Sequence, residues 1–215
     1  MSLHFRKVNW SIFLKSRYIE KNELTELKKI TSQNEKLARD FLPLAVSLAT
    51  GLRVGDVIKI RLCDLGVGGF SFTAEKTGKD GFADCPEYLI QAMISNSDGV
   101  NWCFPSPVKK GRHITRQAVW KRAKRFARLA DINPLGFSPH SMRKNFAVEV
   151  FHSKGMTAAQ TALQHSRLDT TQIYILSDFV SGDNASTPLY RKDIDILFKI
   201  LSDFVVSELK KITKT

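Results

Sequence analysis

The sequence predicts a mainly α fold with one small antiparallel β-sheet, an α+β class in which the sheet is too small to be the core. Two observations predict it. Apolar residues recur at helical spacing over most of the chain. One segment, 66–86, breaks that period with glycine punctuation and the run Phe70-Ser71-Phe72-Thr73.

The elements follow in order. Leu24, Leu27 and Ile30 open a first helix within the helical stretch 22–50, and Leu37, Phe41, Leu44, Ala45 and Leu48 form the stripe of the next. After Gly51 a short helix is expected over 54–60. Thr77-Gly78-Lys79-Asp80-Gly81 has the composition of a hairpin turn. Residues 86–95 return to helical spacing, with Pro86 at the opening. Thr115 can cap a helix running to about Ala130. Its apolar face holds Val119, Ala123, Phe126 and Ala130; its basic face holds Lys121, Lys124, Arg125 and Arg128. Ser138-Pro139 starts a helix through His152 whose buried side is expected to hold Phe146, Ala147, Val150 and Phe151, with Gly155 ending it. Short helices are expected over 157–164 and 170–176. A polar loop, 181–188, leads to an amphipathic helix over 189–211, on which Ile194, Leu197, Leu201, Phe204, Val205 and Leu209 share a face.

Composition sets bounds on function. The 215 residues suffice for one domain with a real core and are too few for two large ones. An apolar fraction of 43% with 25% charged residues excludes a disordered chain. No apolar run approaches the roughly 20 residues of a membrane helix. The N-terminus, Met1-Ser2-Leu3-His4-Phe5-Arg6, lacks the layout of a secretory signal, so a cytoplasmic protein is expected. Cys63, Cys85 and Cys103 are odd in number and widely spaced; they are expected to be reduced thiols in or near the core, with no disulfide and no metal site. The formal net charge of +12 favours a polyanionic partner, of which nucleic acid is the commonest.

Three segments carry chemistry together. They are Thr50-Gly51-Leu52-Arg53, Pro139-His140-Ser141-Met142-Arg143, and Leu163-Gln164-His165 followed nine residues later by Tyr174. An arginine just after a glycine at a helix start can aim its guanidinium at an anion. His140 and Arg143 are three apart at another helix start and share a face. Arginine binds two phosphate oxygens at once and stays charged. Histidine moves a proton near neutral pH, and tyrosine can be a covalent nucleophile. Taken singly, each has an ordinary reading: a surface salt bridge for Arg53, a solvated pair for His140 and Arg143, a core aromatic for Tyr174.

Together, and in this order, the three segments resemble the tyrosine recombinase (phage integrase) family over roughly residues 24–176. The segment Ala74-Glu75-Lys76-Thr77-Gly78-Lys79 is similar to the family's β-hairpin. The resemblance implies a tyrosine recombinase catalytic-domain-like fold and a role for each residue. Tyr174 attacks the scissile phosphate and becomes a 3′-phosphotyrosine. Arg53 and Arg143 hold the non-bridging oxygens. Lys76, with Lys79 as the second choice, protonates the departing 5′ oxygen. His140 assists proton transfer, and His165 donates a hydrogen bond to a phosphate oxygen. The implied partner is double-stranded DNA, on which the protein forms a homo-oligomer, a tetramer. The C-terminal helix has two readings, packing on its own domain and docking on a neighbouring protomer to couple the subunits. No cofactor and no metal are implied.

Two residues depart from the family pattern. Gln164 stands where glycine is usual before the last histidine, and Asp56 stands where glutamate is frequent three residues after the first arginine. Asp56 could order Arg53 or its helix. The expected division is a catalytic domain over 1–180, then a polar hinge and C-terminal helix over 181–215, with the family's N-terminal core-binding domain absent. A minimal recombinase and a piece of a longer chain both fit. The expected function is site-specific DNA recombination or integration for a phage or other mobile element, in the nucleoid. The alternatives are topoisomerase IB-like DNA relaxation and a non-cleaving DNA-binding accessory protein. A metal-dependent nuclease is disfavoured because no acidic cluster has metal spacing.

Overall fold

The computed structural model describes residues 16–163. The expected helices over 170–176 and 189–211, the loop 181–188, Gln164, His165 and Tyr174 lie outside the described residues. Six α-helices, one 3-10 turn (Leu62–Asp64) and a three-stranded antiparallel meander make up the described part. The helices are α1 (Lys21–Thr31), α2 (Glu35–Thr50), α3 (Val54–Val57), α4 (Glu87–Asn96), α5 (Arg116–Leu129) and α6 (Pro139–Ala162). The strands are β1 (Leu65–Gly66), β2 (Gly69–Thr73) and β3 (Asp80–Asp84). Among the described residues no helix is long and apolar enough to cross a membrane.

Helix α2 is the axis of the core and packs against all five other helices. Asn34 caps it, accepting from the Leu37 N–H at 2.9 Å. The expected stripe of Leu37, Phe41, Leu44, Ala45 and Leu48 is buried, and so are Leu42, Pro43, Val46 and Ser47. From Phe41 onward the helix is apolar nearly all round and belongs inside, whereas its first turns keep Lys36 and Arg39 exposed. Against it α5 presents Val119, Ala123 and Phe126, all fully buried. The Phe41 and Phe126 rings meet edge to face at 5.0 Å between centroids. Thr115 caps α5 as expected, accepting from the Ala118 N–H at 3.1 Å.

Three details differ from the sequence expectation. The hairpin turn lies earlier, over 74–79, so Asp80 and Gly81 pair within β3. Hydrogen bonds from the Gly78 N–H to Ala74 O and from the Ala74 N–H to Lys79 O, both 2.8 Å, close it, and Gly78 supplies the left-handed φ of 64°. The buried side of α6 is polar in its first turns. Ser141, Met142, Arg143, Lys144 and Asn145 are buried, whereas Phe146, Val150 and Phe151 are half-buried. These polar groups reach backbone partners. Asn145, for example, accepts from the Ile19 N–H at 2.8 Å and donates to Ile19 O at 2.9 Å, fixing the segment before α1. Gly155, by contrast, matches the expectation: with φ 81° and ψ 179° it is non-helical and ends the stretch begun at Pro139, and a second helical stretch follows to Ala162. Cys63 is exposed; only Cys85 and Cys103 are buried, and burial pushes both thiols up to about 12.

Candidate active site

Local bonding explains the first motif. The Thr50 hydroxyl donates to Val46 O at 2.7 Å, and the Ser47 hydroxyl donates to Leu52 O at 2.7 Å. Gly51 turns the chain at φ 69°, and a Cβ there would stand 2.2 Å from Phe146 Cδ1. Only glycine meets both demands. The turn delivers Arg53 to the N-cap of α3, where its carbonyl accepts from the N–H groups of Asp56 at 2.8 Å and Val57 at 3.0 Å. Its backbone is thereby fixed. Its half-buried side chain makes no hydrogen bond or ion pair among the described residues.

Arg143 is its opposite in environment. It is 2% exposed and sits one turn into α6. Nη1 donates to Gly51 O, and Nη2 donates to Leu163 O at 2.6 Å. The guanidinium thus ties the glycine of the first motif to the leucine that opens the third. Charged donors on carbonyls are strong hydrogen bonds, and a buried guanidinium needs them. His140, three residues earlier, is exposed at the start of the same helix. Its pKa is lowered from the ordinary 6.5, first by loss of hydration, then by the Arg143 and Arg53 charges. Because the residue is exposed, its loss of hydration is partial, and the two guanidiniums push the same way. All three causes favour the neutral imidazole in the DNA-free protein.

The hairpin brings the lysine. Asp56 is 4% exposed, and its Oδ1 accepts from the Glu75 N–H at 2.9 Å. The structure thus gives Asp56 a different task from ordering Arg53: it anchors the hairpin tip to α3. The next residue, Lys76, is exposed at the tip. Arg53, Lys76, His140 and Arg143 all line one cleft of about 340 Å³. Lys79 is not in its lining.

Two lining residues escaped the sequence reading: Glu75 and Arg116. Arg116 follows the Thr115 cap of α5, and the cap was the available signal. The basic face expected on α5 is partly spent inside the protein. Lys124 donates to Pro134 O at 2.6 Å and Phe137 O at 2.7 Å, and Arg125 pairs with Asp40 at 3.1 Å.

A mainly helical domain that turns a hairpin lysine, two arginines and a histidine into one cleft has the layout of a tyrosine recombinase catalytic domain. The sequence matches the phage integrase family over residues 17–180, and the chain belongs to that family. It is 29% identical over 171 residues to the tyrosine recombinase XerD of Haemophilus influenzae, covering 74% of this chain and 57% of that protein. Against XerD of Haemophilus ducreyi the identity is 35% over 148 residues, covering 63% and 49%. The XerH recombinase in a post-cleavage complex with palindromic difH substrate superposes with a TM-score of 0.63 at 17% identity, over 80% of this chain and 52% of that one. A lambda integrase dimer bound to a COC′ core site gives 0.62 at 14% identity, over 81% and 64%. These solved structures share the fold. The chain spans about half the length of the curated relatives it matches.

Proposed function

We propose that this chain is the catalytic part of a site-specific DNA recombinase that cuts and rejoins DNA through a 3′-phosphotyrosine. The observation that carries the reading is the convergence of Arg53, Lys76, His140 and Arg143, drawn from three separate segments, on one cleft. The residue types suit phosphoryl transfer. The Tyr174 oxygen attacks phosphorus, the bond to the 5′ oxygen breaks, and the 3′ phosphate stays on the tyrosine. Arg53 and Arg143 offset the charge that builds on the non-bridging oxygens; one such contact contributes about 10²–10³ in rate. Lys76 gives its proton to the departing 5′ oxygen. The phenolic proton of Tyr174 needs a neutral base, and His140 with its lowered pKa is suited to take it. His165 donates to a phosphate oxygen. The covalent linkage conserves the energy of the DNA bond, so rejoining reverses the same steps.

We assign residues 1–180 to the catalytic domain and 181–215 to a hinge and a helix that docks on a neighbouring protomer in a tetramer on DNA. A phage or other mobile element is the DNA acted upon, in the cytoplasm. Excision junctions amplified from the source genome support this last assignment; a single fixed chromosomal crossover site overturns it.

The test is covalent trapping. Protein is mixed with nicked DNA from around its own gene, quenched with detergent and probed for a protease-sensitive adduct. The expected result is an adduct with the wild type and none with Tyr174→Phe, which keeps the ring and still binds DNA. An adduct that persists in Tyr174→Phe sinks the mechanism. Relaxation of supercoiled plasmid without a defined site would favour a topoisomerase.

A further inference from the structure

Glu75 is a carboxylate inside the cation cleft for which the proposed chemistry has no use. Its Oε2 lies 3.5 Å from Lys59 Nζ and 3.8 Å from Arg116 Nη1. Its own N–H is held by Asp56 at 2.9 Å, so the hairpin tip sets where the carboxylate stands. Beneath it Gly55 leaves the room: a Cβ there would stand 3.1 Å from both Glu75 Oε2 and Arg116 Cδ. Three elements thus meet at this carboxylate: the turn after α3 through Lys59, the β2–β3 hairpin through Glu75, and the first turn of α5 through Arg116.

The other acid of the cleft, Asp56, is buried and turned to the Glu75 backbone. Glu75 is therefore the carboxylate that faces the opening, with 42% of its side chain exposed. A phosphodiester entering the cleft brings negative charge to Arg116, the one of Glu75's two cations that lines it. Arg116 is itself 69% exposed on the side chain and can reach either anion. Its planar fork bonds phosphate as well as carboxylate, so the choice depends on which anion is nearer and more highly charged.

We propose that Glu75 is a built-in counter-anion: it holds Lys59 and Arg116 in the DNA-free protein and yields them to a DNA phosphate. Arg116 is on this account a phosphate-binding residue whose availability Glu75 sets. Glu75 adjoins Lys76, so the exchange of partners takes place next to the proposed proton donor. The inference rests on the reading that the cleft takes DNA.

The experiment is fluorescence anisotropy of the full chain with a labelled duplex of arbitrary sequence, at low and moderate salt. Glu75→Gln should tighten binding about 3- to 10-fold, the scale of two half-exposed ion pairs. The gain should vanish in an Arg116→Gln, Lys59→Gln background, because the interaction then has no partner. Asp84→Asn, the same charge change on exposed β3, controls for net charge and should tighten binding less. A thermal melt verifies folding, and Glu75→Ala, which also keeps the N–H to Asp56, repeats the test. No gain in Glu75→Gln, or the same gain without Arg116 and Lys59, overturns the inference and leaves the DNA reading standing. A wild type that fails to bind duplex overturns both.

Discussion

Two clefts of nearly equal size differ in how their cations are used. One, about 340 Å³, holds Arg53, Lys76, Arg116, His140 and Arg143 with Asp56 and Glu75; the other, about 320 Å³, holds Lys36, Arg39 and Arg122 with Glu35 and Asp40. In the second cleft each arginine has a carboxylate partner, although Asp40 is shared with Arg125. Arg39 pairs with Glu35, and Arg122 pairs with Asp40 at 3.1 Å. In the first, Arg53 has no carboxylate partner among the described residues, and Arg143 is held by the main-chain carbonyls of Gly51 and Leu163. Arginine content alone therefore does not make a phosphate site. An unneutralised guanidinium on a fixed backbone does, because an incoming anion need not displace a resident one.

The largest expected difference between the clefts is in strand cleavage. Arg53→Gln should cut the rate of adduct formation by about 10²–10³, with little change in melting temperature, since the side chain supports nothing else among the described residues. Arg122→Gln should leave cleavage unchanged and cost at most about 1 kcal/mol. Equal losses of cleavage in the two variants would break the comparison.

Within the first cleft, stability separates the two arginines. Arg143→Ala strands two carbonyls, Gly51 O and Leu163 O, that the guanidinium now serves. A destabilisation of about 2–4 kcal/mol in denaturant unfolding is expected. A stable Arg143→Ala protein that had merely lost activity would show that the carbonyl contacts carry no weight.

A smaller effect sharpens the role of the hairpin. Asp56→Ala loosens the tip that carries Lys76 without removing the lysine and should slow cleavage about 10-fold, less than the roughly 10²–10⁴ of a lost acid. A substrate with sulfur in place of the departing 5′ oxygen leaves without a proton. It should restore the rate in Lys76→Ala and Asp56→Ala and leave Arg53→Gln slow. Failure to rescue Lys76→Ala removes the lysine as the acid.

The smallest effect is a titration. In the DNA-free protein the His140 ring should titrate below 6.5 by NMR, and Arg53→Gln should move it upward by removing one of the two charges. The sign carries to stability. A histidine whose folded pKa is depressed contributes stability that is present above the unfolded value and lost as pH falls through the folded one. Wild type should therefore lose stability on acidification from pH 7 more steeply than His140→Gln.

Much of the fold could be read from residue patterns because helical spacing reports burial directly. The α2 stripe and the apolar face of α5 show this, as do the caps at Thr115 and Pro86. The misreadings have one cause. On α6, spacing weights Arg143, Lys144 and Asn145 as outward-facing, yet backbone partners from distant segments draw them in. The hairpin turn was misplaced because Lys79-Asp80-Gly81 has turn composition while pairing across to Phe72 and Thr73 decides the register.

The candidate site divides in the same way. Arg53, His140 and Arg143 could be singled out from short motifs, since a glycine turn and a helix start are local events of a few residues each; Lys76 is named, ahead of Lys79, only through the resemblance of its hairpin to the family's. Their meeting in one cleft, the anchoring of Glu75 by Asp56, and the presence of Arg116 beside them depend on segments far apart in the chain. The chain order of charges states which groups exist. Which of them are left without a counter-charge depends on the neighbours that folding supplies, and that is a property of packing alone.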